Sequence, residues 1–373
     1  MAKKSNSGNS IPDWLQAVLT IIGVFVFATV VTTLLAYTKW KRADHLSAQM
    51  FKATAENQPS AQNEITLDDN SAAEDDDSLS QGTISFQGKK YKYNDNLINI
   101  LLLGIDDKGD YEDESDDVTV PFQTDTVVLG TIDALKKEIT FLNIPRDTVA
   151  QIQVLDFNDE VATTEYGPIA IQHSYGNQGD KTNEVTVQTV SNLLYNVPIN
   201  RYATVSLTAI PDVNDSVGGV TVEVLEDLTN WDSELEIGNT VTLSNEQAVI
   251  YTCRRDVSID DSAMGRISRQ AQYIRNLFPA VKAKTKENIT FPIKLYNSLS
   301  DKVSTNMDSD EITYLAKLLL DLELDSDSIE TIPGTMHEIE PGEYDGYTDI
   351  MGYVVDEDAL RQMIIDRYYI PVD

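Results

Sequence analysis

The alternation of apolar and polar positions first marks out one long apolar run near the start of the chain. Residues 14–38 contain no charged side chain and are strongly apolar, and a helix needs about 20 such residues to cross the hydrocarbon core of a bilayer. Trp14 at one end and Tyr37 and Trp40 at the other match the aromatic residues that mark membrane interfaces. The pattern predicts one N-terminal transmembrane helix, preceded by a short tail of residues 1–13.

A cleaved signal peptide is the alternative interpretation of this run. The run is longer than the apolar part of a usual signal peptide, and no clear small-residue cleavage site follows it. An uncleaved signal anchor is therefore favoured. Lysines lie on both sides of the run, so the positive-inside rule leaves its orientation open.

The next segment, residues 39–96, has few large apolar side chains and several acidic runs. This composition is typical of chain that cannot build a core, and it predicts an acidic flexible stalk.

The pattern changes again from residue 97 onwards, where short apolar runs alternate with helical periodicity. Buried strands are predicted by the β-branched runs at 99–104, 126–132, 138–144, 202–207 and 220–224. Helices are predicted at 184–196, 246–251 and 266–282. This order predicts an α/β fold with a mixed central sheet flanked by helices. We expect the main domain to span 97–283, with 284–373 as a C-terminal extension packed on it or following it.

Charge narrows the possible functions. The chain has 61 Asp and Glu against 28 Lys and Arg, a formal net charge of −33, and such a field repels phosphate polymers. A nucleic-acid partner is therefore not expected. A single cysteine, Cys253, excludes an intrachain disulfide. Any phosphate that the protein binds must be held at short range, for which clustered arginines are suited.

One such cluster lies on the helix predicted at 266–282. At about 100° per residue, Arg266, Arg269 and Gln270 share one polar arc, which favours an anion-binding site. The alternative is a solvated basic face that pairs with Asp260 and Asp261.

Acidic residues at strand ends are the second group with possible chemistry. Asp106 follows one apolar run and Asp125 precedes another. Carboxylates at the edge of a sheet can hold a hard divalent cation or accept a proton, although Asp is also a common turn residue. Arg146, which follows Pro145, is either an anion contact or the partner of Asp147.

Six motifs in a fixed order change the balance between these alternatives. They are Asn99-Ile-Leu-Leu-Leu-Gly-Ile-Asp106, Thr124-Asp-Thr126, Ile144-Pro-Arg-Asp-Thr148, Tyr175-Gly176, Asp215-Ser-Val-Gly-Gly-Val220 and Gly265-Arg-x-x-Arg-Gln270. Over about residues 97–283, this order resembles the LytR-CpsA-Psr family of membrane-anchored cell-wall ligases.

The resemblance implies a reaction outside the cytoplasmic membrane, with the N-terminus in the cytoplasm and the main domain extracellular. Members of the family transfer an anionic glycopolymer from a polyprenyl-pyrophosphate carrier to a peptidoglycan hydroxyl, through a phosphodiester. Their fold is an α/β sheet flanked by helices, with a hydrophobic groove for the lipid tail.

The resemblance also implies roles for individual residues. Asp106 and Asp125 match the family's acidic pair, which is associated with Mg²⁺, or with Mn²⁺ as the alternative, and with the acceptor hydroxyl. The expected pyrophosphate contacts are Arg146, Arg255, Arg266 and Gln270, together with Arg269 from the same helical arc. Asp125, Arg146 and Asp106 are the predicted catalytic residues.

Two positions depart from the family pattern. Gln123 and Cys253 stand where many members have arginine. These departures keep open a second hypothesis, in which the protein binds the polyprenyl-pyrophosphate glycan without transferring it. An acidic insertion at 109–121 is either a lid or, more simply, a surface loop.

Overall fold

A computed structural model describes residues 83–106, 122–254, 262–324, 328–348 and 350–372. The predicted transmembrane segment, most of the predicted stalk and the insertion at 109–121 lie outside these residues. None of the helices in the described part of the chain is long and apolar enough to cross a membrane.

Strands and helices alternate along the described chain. The strands are β1 (Thr83–Phe86), β2 (Lys89–Tyr93), β3 (Leu97–Ile105), β4 (Thr124–Asp133), β5 (Glu138–Ile144), β6 (Val149–Leu155), β7 (Val161–Pro168), β8 (Arg201–Ser206), β9 (Thr221–Glu223), β10 (Thr240–Thr242), β11 (Val303–Thr305), β12 (Ile329–Thr331), β13 (Gly334–Glu338), β14 (Met351–Val355) and β15 (Tyr369–Pro371). The helices are α1 (Asp180–Leu193), α2 (Ile210–Val217), α3 (Asn245–Cys253), α4 (Ser262–Glu287), α5 (Phe291–Ser298), α6 (Ser309–Leu318) and α7 (Glu357–Tyr368).

Six strands form the central sheet, in the order β11-β8-β3-β4-β5-β12. Strand β4 is antiparallel to both of its neighbours in the sheet, β3 and β5. The pairs β3–β8 and β12–β5 are parallel. This arrangement confirms the predicted mixed sheet, and β5 has the bounds predicted from the sequence.

The sheet is buried on both faces, which explains why its strands are nearly continuous apolar runs. Successive side chains of a strand point to opposite faces. Leu101 and Leu103 of β3 belong to a core that includes residues of α1 and α7. Ile98 and Ile100 of β3 belong to a second core, against which side chains of α4 and α6 pack.

The segment predicted as a C-terminal extension is part of the central sheet. Its strands β11 and β12 pair with β8 and β5 and are the two outermost strands of that sheet. A partly buried ion pair between Arg201 of β8 and Glu311 of α6 adds a second connection. The structure therefore corrects the predicted division near residue 284. Strands of three residues carry too little periodicity to be recognised in a sequence.

The end of the predicted stalk is also folded. Strands β1 and β2 form a hairpin, and β2 pairs with β15 at the end of the described chain. Ile84 and Phe86 of this hairpin are buried against Ile365 of α7. The folded part of the protein thus begins no later than Thr83, within the segment that composition alone assigned to the stalk.

Candidate active site at the edge of the central sheet

Strands β3, β4 and β5 each have one end on the same side of the central sheet. We call this side, formed by strand ends, the sheet edge. Strand β3 ends just before Asp106, β4 begins just before Asp125, and β5 ends shortly before Arg146. The Asp106 N–H donates to the Gln123 carbonyl at 3.2 Å, and the Phe122 N–H donates to the Asp106 carbonyl at 3.0 Å. Because β3 and β4 are antiparallel, the pairing brings both predicted carboxylates to the same edge.

Arg146 is held by two partners on β4 and the residues just before it. Its Nη1 donates to Asp125 Oδ1, and its Nη2 donates to the side-chain oxygen of Gln123. The Arg146 side chain is 20% exposed and that of Asp125 is 16% exposed. The planar guanidinium suits such a two-point contact, so Gln123, which departs from the family pattern, positions this arginine.

A tight turn after β5 fixes the backbone of Arg146. Both the N–H and the hydroxyl of Thr148 donate to the Pro145 carbonyl, at 2.9 and 2.6 Å. The Arg146 carbonyl in turn accepts from the Ala170 N–H at 3.0 Å. The run Pro145-Arg146-Asp147-Thr148 therefore forms a rigid corner that aims the arginine along the sheet edge.

Helix α4 completes the pocket at this edge. Arg266 and Gln270 line it together with Asp125 and Arg146. Arg266 is 7% exposed, and the Gln270 amide donates to the Thr252 carbonyl at the end of α3 at 3.0 Å. Four of the residues predicted from the sequence thus surround one cavity, which we call the edge pocket.

Arg269 lies elsewhere, in contrast to the prediction that it contacts pyrophosphate. Its side chain is fully buried. Its Nε donates to Glu226 Oε2 at 3.0 Å, and its two terminal nitrogens donate to the carbonyls of Tyr251 and Arg254. The guanidinium also lies 5.7 Å from the centre of the Tyr251 ring. These internal contacts hold the end of α3, and Arg269 does not line the edge pocket.

The two remaining predicted residues are Arg255 and Asp106. Arg255 lies outside the described residues. Asp106 does not line the edge pocket, but its backbone is hydrogen-bonded to those of Gln123 and Phe122, just before the start of β4. Cys253 is the last residue of α3, next to Thr252, whose carbonyl accepts from Gln270 of the pocket.

Cys253 is a neutral thiol in this surrounding. Burial raises its pKa to about 11, and the nearby carboxylates of Asp125 and Asp106 add to this effect while Arg266 opposes it. At pH 7.5 the thiolate fraction is then roughly 0.03%, against about 10% for an ordinary cysteine.

We accordingly expect Cys253 to resist thiol reagents in the folded protein. Because the thiolate is the reactive form, modification by a disulfide reagent at pH 7.5 should be at least about a hundredfold slower in the folded protein than in denaturant. The rate in the folded protein should rise with pH up to about pH 11. Rapid stoichiometric modification of the folded protein at pH 7.5 would contradict the raised pKa.

The structure adds pocket residues that sequence reasoning missed. Met336 and Tyr353 come from β13 and β14, and Asn143 and Asp147 come from β5 and the corner after it. Asp147 could have been suspected from its place beside Arg146. Tyr353 gave no such signal, because only the fold brings β14 next to the start of β6.

The acidic pair has the donor chemistry of a site for a hard cation. Asp106 and Asp125 offer carboxylate oxygens, which are the ligands that hard cations prefer. In the described part of the chain, no cluster of three or more His, Cys, Asp or Glu residues could hold a metal. A pair of carboxylates fits Mg²⁺, which commonly uses one or two protein carboxylates together with substrate phosphates.

Fold and site together define an α/β protein whose sheet edge carries the components of an anion-binding pocket: two arginines, an amide and a carboxylate. The sequence of residues 51–364 matches the LytR_cpsA_psr family. The chain therefore belongs to the LytR-CpsA-Psr family, and the match extends well beyond residues 97–283, over which the motifs suggested it.

Individual relatives agree with this assignment. The chain is 28% identical over 245 residues to a protein of Bacillus anthracis named polyisoprenyl-teichoic acid–peptidoglycan teichoic acid transferase TagU, and the match covers 66% of this chain and 72% of that protein.

Solved structures share the fold. The structure of TagV from B. subtilis matches with a TM-score of 0.52 at 24% identity, covering 73% of this chain and 96% of that one. A structure of TagT bound to LI-WTA matches with a TM-score of 0.52 at 21% identity, covering 73% and 89%. At these identities the likeness concerns the fold.

Proposed function

We propose that this protein is an extracytoplasmic phosphotransferase that moves an anionic glycopolymer from a polyprenyl-pyrophosphate carrier to a peptidoglycan hydroxyl. The observation that carries the proposal is the edge pocket, where Arg146 is paired with Asp125 and lies beside Arg266 and Gln270. Family membership and the name of the Bacillus anthracis relative support the same reaction class.

The proposal gives the donor and the acceptor hydroxyl separate residues of the pocket. Arg146 and Arg266 bind the pyrophosphate and stabilise the negative charge that develops on its oxygens, because phosphoryl transfer depends mainly on positioning and charge neutralisation. Gln270, anchored to Thr252, orients a phosphate oxygen. Asp125 is the base, because its carboxylate lies at the pocket wall next to Arg146.

The acceptor hydroxyl oxygen attacks the phosphorus that carries the glycan, and its proton passes to the Asp125 carboxylate. The bond from that phosphorus to the bridging oxygen breaks, and polyprenyl phosphate leaves. The product is a phosphodiester between glycan and acceptor.

A divalent cation, Mg²⁺ or Mn²⁺, belongs to this proposal as well. Asp106 and Asp125 would hold it, and when bound it would neutralise charge on the phosphate oxygens.

An apolar groove supports the lipid part of the proposed donor. It is lined by side chains from the sheet and from α5 and α6, among them Ile132, Ile139, Tyr296, Ile312 and Leu315. The core on the same face of the sheet includes Ile274 and Phe278 of α4, the helix that also carries Arg266 and Gln270. An isoprenoid tail that leaves the edge pocket along α4 would thus meet apolar side chains.

The direct test uses the full-length protein in detergent. A short-chain polyprenyl-pyrophosphate glycan, a peptidoglycan oligomer and MgCl₂ are incubated with it, and the phosphodiester adduct is measured by mass spectrometry. We expect an adduct that disappears in the Asp125→Ala variant and when the divalent cation is chelated. Tight binding of the lipid without any adduct would instead favour the alternative, a binding protein of the same fold. If the protein formed no adduct and also did not bind the lipid, the site would be refuted.

A further inference from the structure

Three half-buried tyrosines cluster near the edge pocket, one on β7 and two in the turn between β13 and β14. The rings of Tyr166 on β7 and Tyr344 lie 5.1 Å apart between centroids, at an interplanar angle of 54°. Tyr347 follows within the same turn, where its backbone forms an isolated β-bridge with that of Tyr344. None of the three is buried. We call Tyr166, Tyr344 and Tyr347 the tyrosine strip.

The strip adjoins the edge pocket through Asp147. This carboxylate lines the pocket, and it is near enough to Tyr347 to raise the pKa of that phenol, in addition to the effect of burial. The β6–β7 pairing places Tyr166 in the same neighbourhood, since Tyr166 lies opposite Gln151, four residues after Asp147 along the chain. A ligand that lies on the strip can therefore extend into the pocket.

Hydrogen bonds within the turn before Tyr344 hold the strip in place. The Glu343 N–H donates to the Glu340 carbonyl, and the Glu340 N–H donates to Glu343 Oε2, both at 3.1 Å. His337 contacts the other oxygen of Glu343 at 3.2 Å. Rings that are fixed before binding lose little conformational entropy when a ligand stacks on them.

Charge identifies the kind of ligand. The strip comes from two stretches, residues 147–180 and 318–360, that contain no Lys or Arg. After burial, Glu343 contributes to the raised pKa of Tyr344 and Asp147 to that of Tyr347, so a carboxylate lies near each of these two rings. A polyanion such as the donor glycopolymer is repelled here. Sugar rings without charge suit this surface, because their apolar faces stack on aromatic rings and their hydroxyls donate to carboxylates.

We propose that the tyrosine strip binds the glycan chain of the acceptor, a chain of N-acetylated amino sugars, and so brings an acceptor hydroxyl to the edge pocket. This inference rests on the proposed transfer reaction for its consequence, but glycan binding itself can be measured without transfer. The arginines of the edge pocket would then receive the anionic donor, and the strip the acceptor.

Binding of an uncharged N-acetylglucosamine tetramer to the full-length protein tests the strip directly. We expect the Tyr166→Ala/Tyr344→Ala double variant to bind it at least about tenfold more weakly than the parent. The Tyr344→Phe variant keeps the ring and should bind like the parent. Tyr91→Ala serves as a matched control, since Tyr91 is a half-buried tyrosine of the β1–β2 hairpin outside the strip. The NMR signals of the Tyr166 and Tyr344 rings in the parent protein should also shift on binding, and this measurement needs no variant.

Kinetics separate this proposal from the transfer reaction. In the double variant the KM for a peptidoglycan oligomer should rise about tenfold, while the KM for the donor lipid and kcat stay unchanged. Unchanged tetramer binding and acceptor KM in the double variant would overturn the strip and leave the transfer reaction standing. Tyrosine-dependent binding without any transfer product would uphold the strip and refute the transferase. Unshifted ring signals in the parent would count against the strip even if the double variant failed to fold.

Discussion

Replacing Arg146 with alanine is expected to lower the rate of glycopolymer transfer by about a hundredfold to a thousandfold. The change removes a guanidinium that lies in the edge pocket and that contacts both Asp125 and Gln123. It therefore removes charge stabilisation from the phosphate and also the partner that positions the Asp125 carboxylate. The Arg146→Lys variant should be faster than Arg146→Ala but slower than the parent, because a point charge cannot make the two-point contact of a guanidinium.

Initial rates of adduct formation by the full-length protein measure this effect. Arg361→Ala is a matched control, since the Arg361 side chain is 16% exposed against 20% for Arg146 and pairs with Glu357 on α7. Its rate should stay within about twofold of the parent. A rate near that of the parent in Arg146→Ala would contradict the assignment of the pocket.

Arg146 and Asp125 should also behave as one unit in catalysis. Asp125→Asn preserves the size of the side chain but removes the base and the charge partner of Arg146. Residues that act together in catalysis are strongly non-additive, so the double variant should be about as slow as the slower single variant.

The sequence was sufficient for the centre of the sheet and for much of the site. Strands β3, β4 and β5 are long apolar runs with turn residues at their ends, and the sequence order of Asp106, Asp125 and Arg146 already placed all three at strand ends. Antiparallel pairing then leaves one edge at which they can meet.

The rotation of α4 about its axis could not be predicted. At about 100° per residue, Gln270 lies roughly 40° from Arg266 on one side, and Arg269 roughly 60° on the other. All three share a polar arc, but the packing of α4 against α3 directs Arg266 and Gln270 into the edge pocket and Arg269 towards Glu226. Helical periodicity gives the relative angles of side chains and not what each of them faces.

The contribution of the last ninety residues was also beyond the sequence. Strands β11 and β12 are three residues long, and their partners β8 and β5 lie about a hundred residues or more earlier in the chain. The tyrosines of this segment were visible from the start, but their number alone does not distinguish a packing element from a surface beside a pocket. The ring pair Tyr166–Tyr344 exists only in the folded chain.

Arg269→Ala is expected to destabilise the protein by about 3 kcal/mol, the lower end of the range for breaking a buried ion pair. Arg269 is fully buried and its partner Glu226 is 28% exposed, so part of the charge left behind on Glu226 remains hydrated. The change also removes the donors to two carbonyls at the end of α3. Because those carbonyls belong to Tyr251 and Arg254, the backbone leading to the predicted pyrophosphate contact Arg255 should lose its anchor.

Urea unfolding and donor-lipid binding, measured on the same samples, distinguish this positioning role from a direct contact with pyrophosphate. With a positioning role, Arg269→Ala lowers the free energy of unfolding in the absence of lipid, and weaker lipid binding accompanies it. Arg275→Ala, on the same helix but outside the pocket lining, should change the stability by no more than about 1 kcal/mol. If Arg269→Ala instead left stability unchanged and abolished lipid binding, Arg269 would be a ligand contact after all, and the orientation of α4 described above would be wrong for the lipid-bound protein.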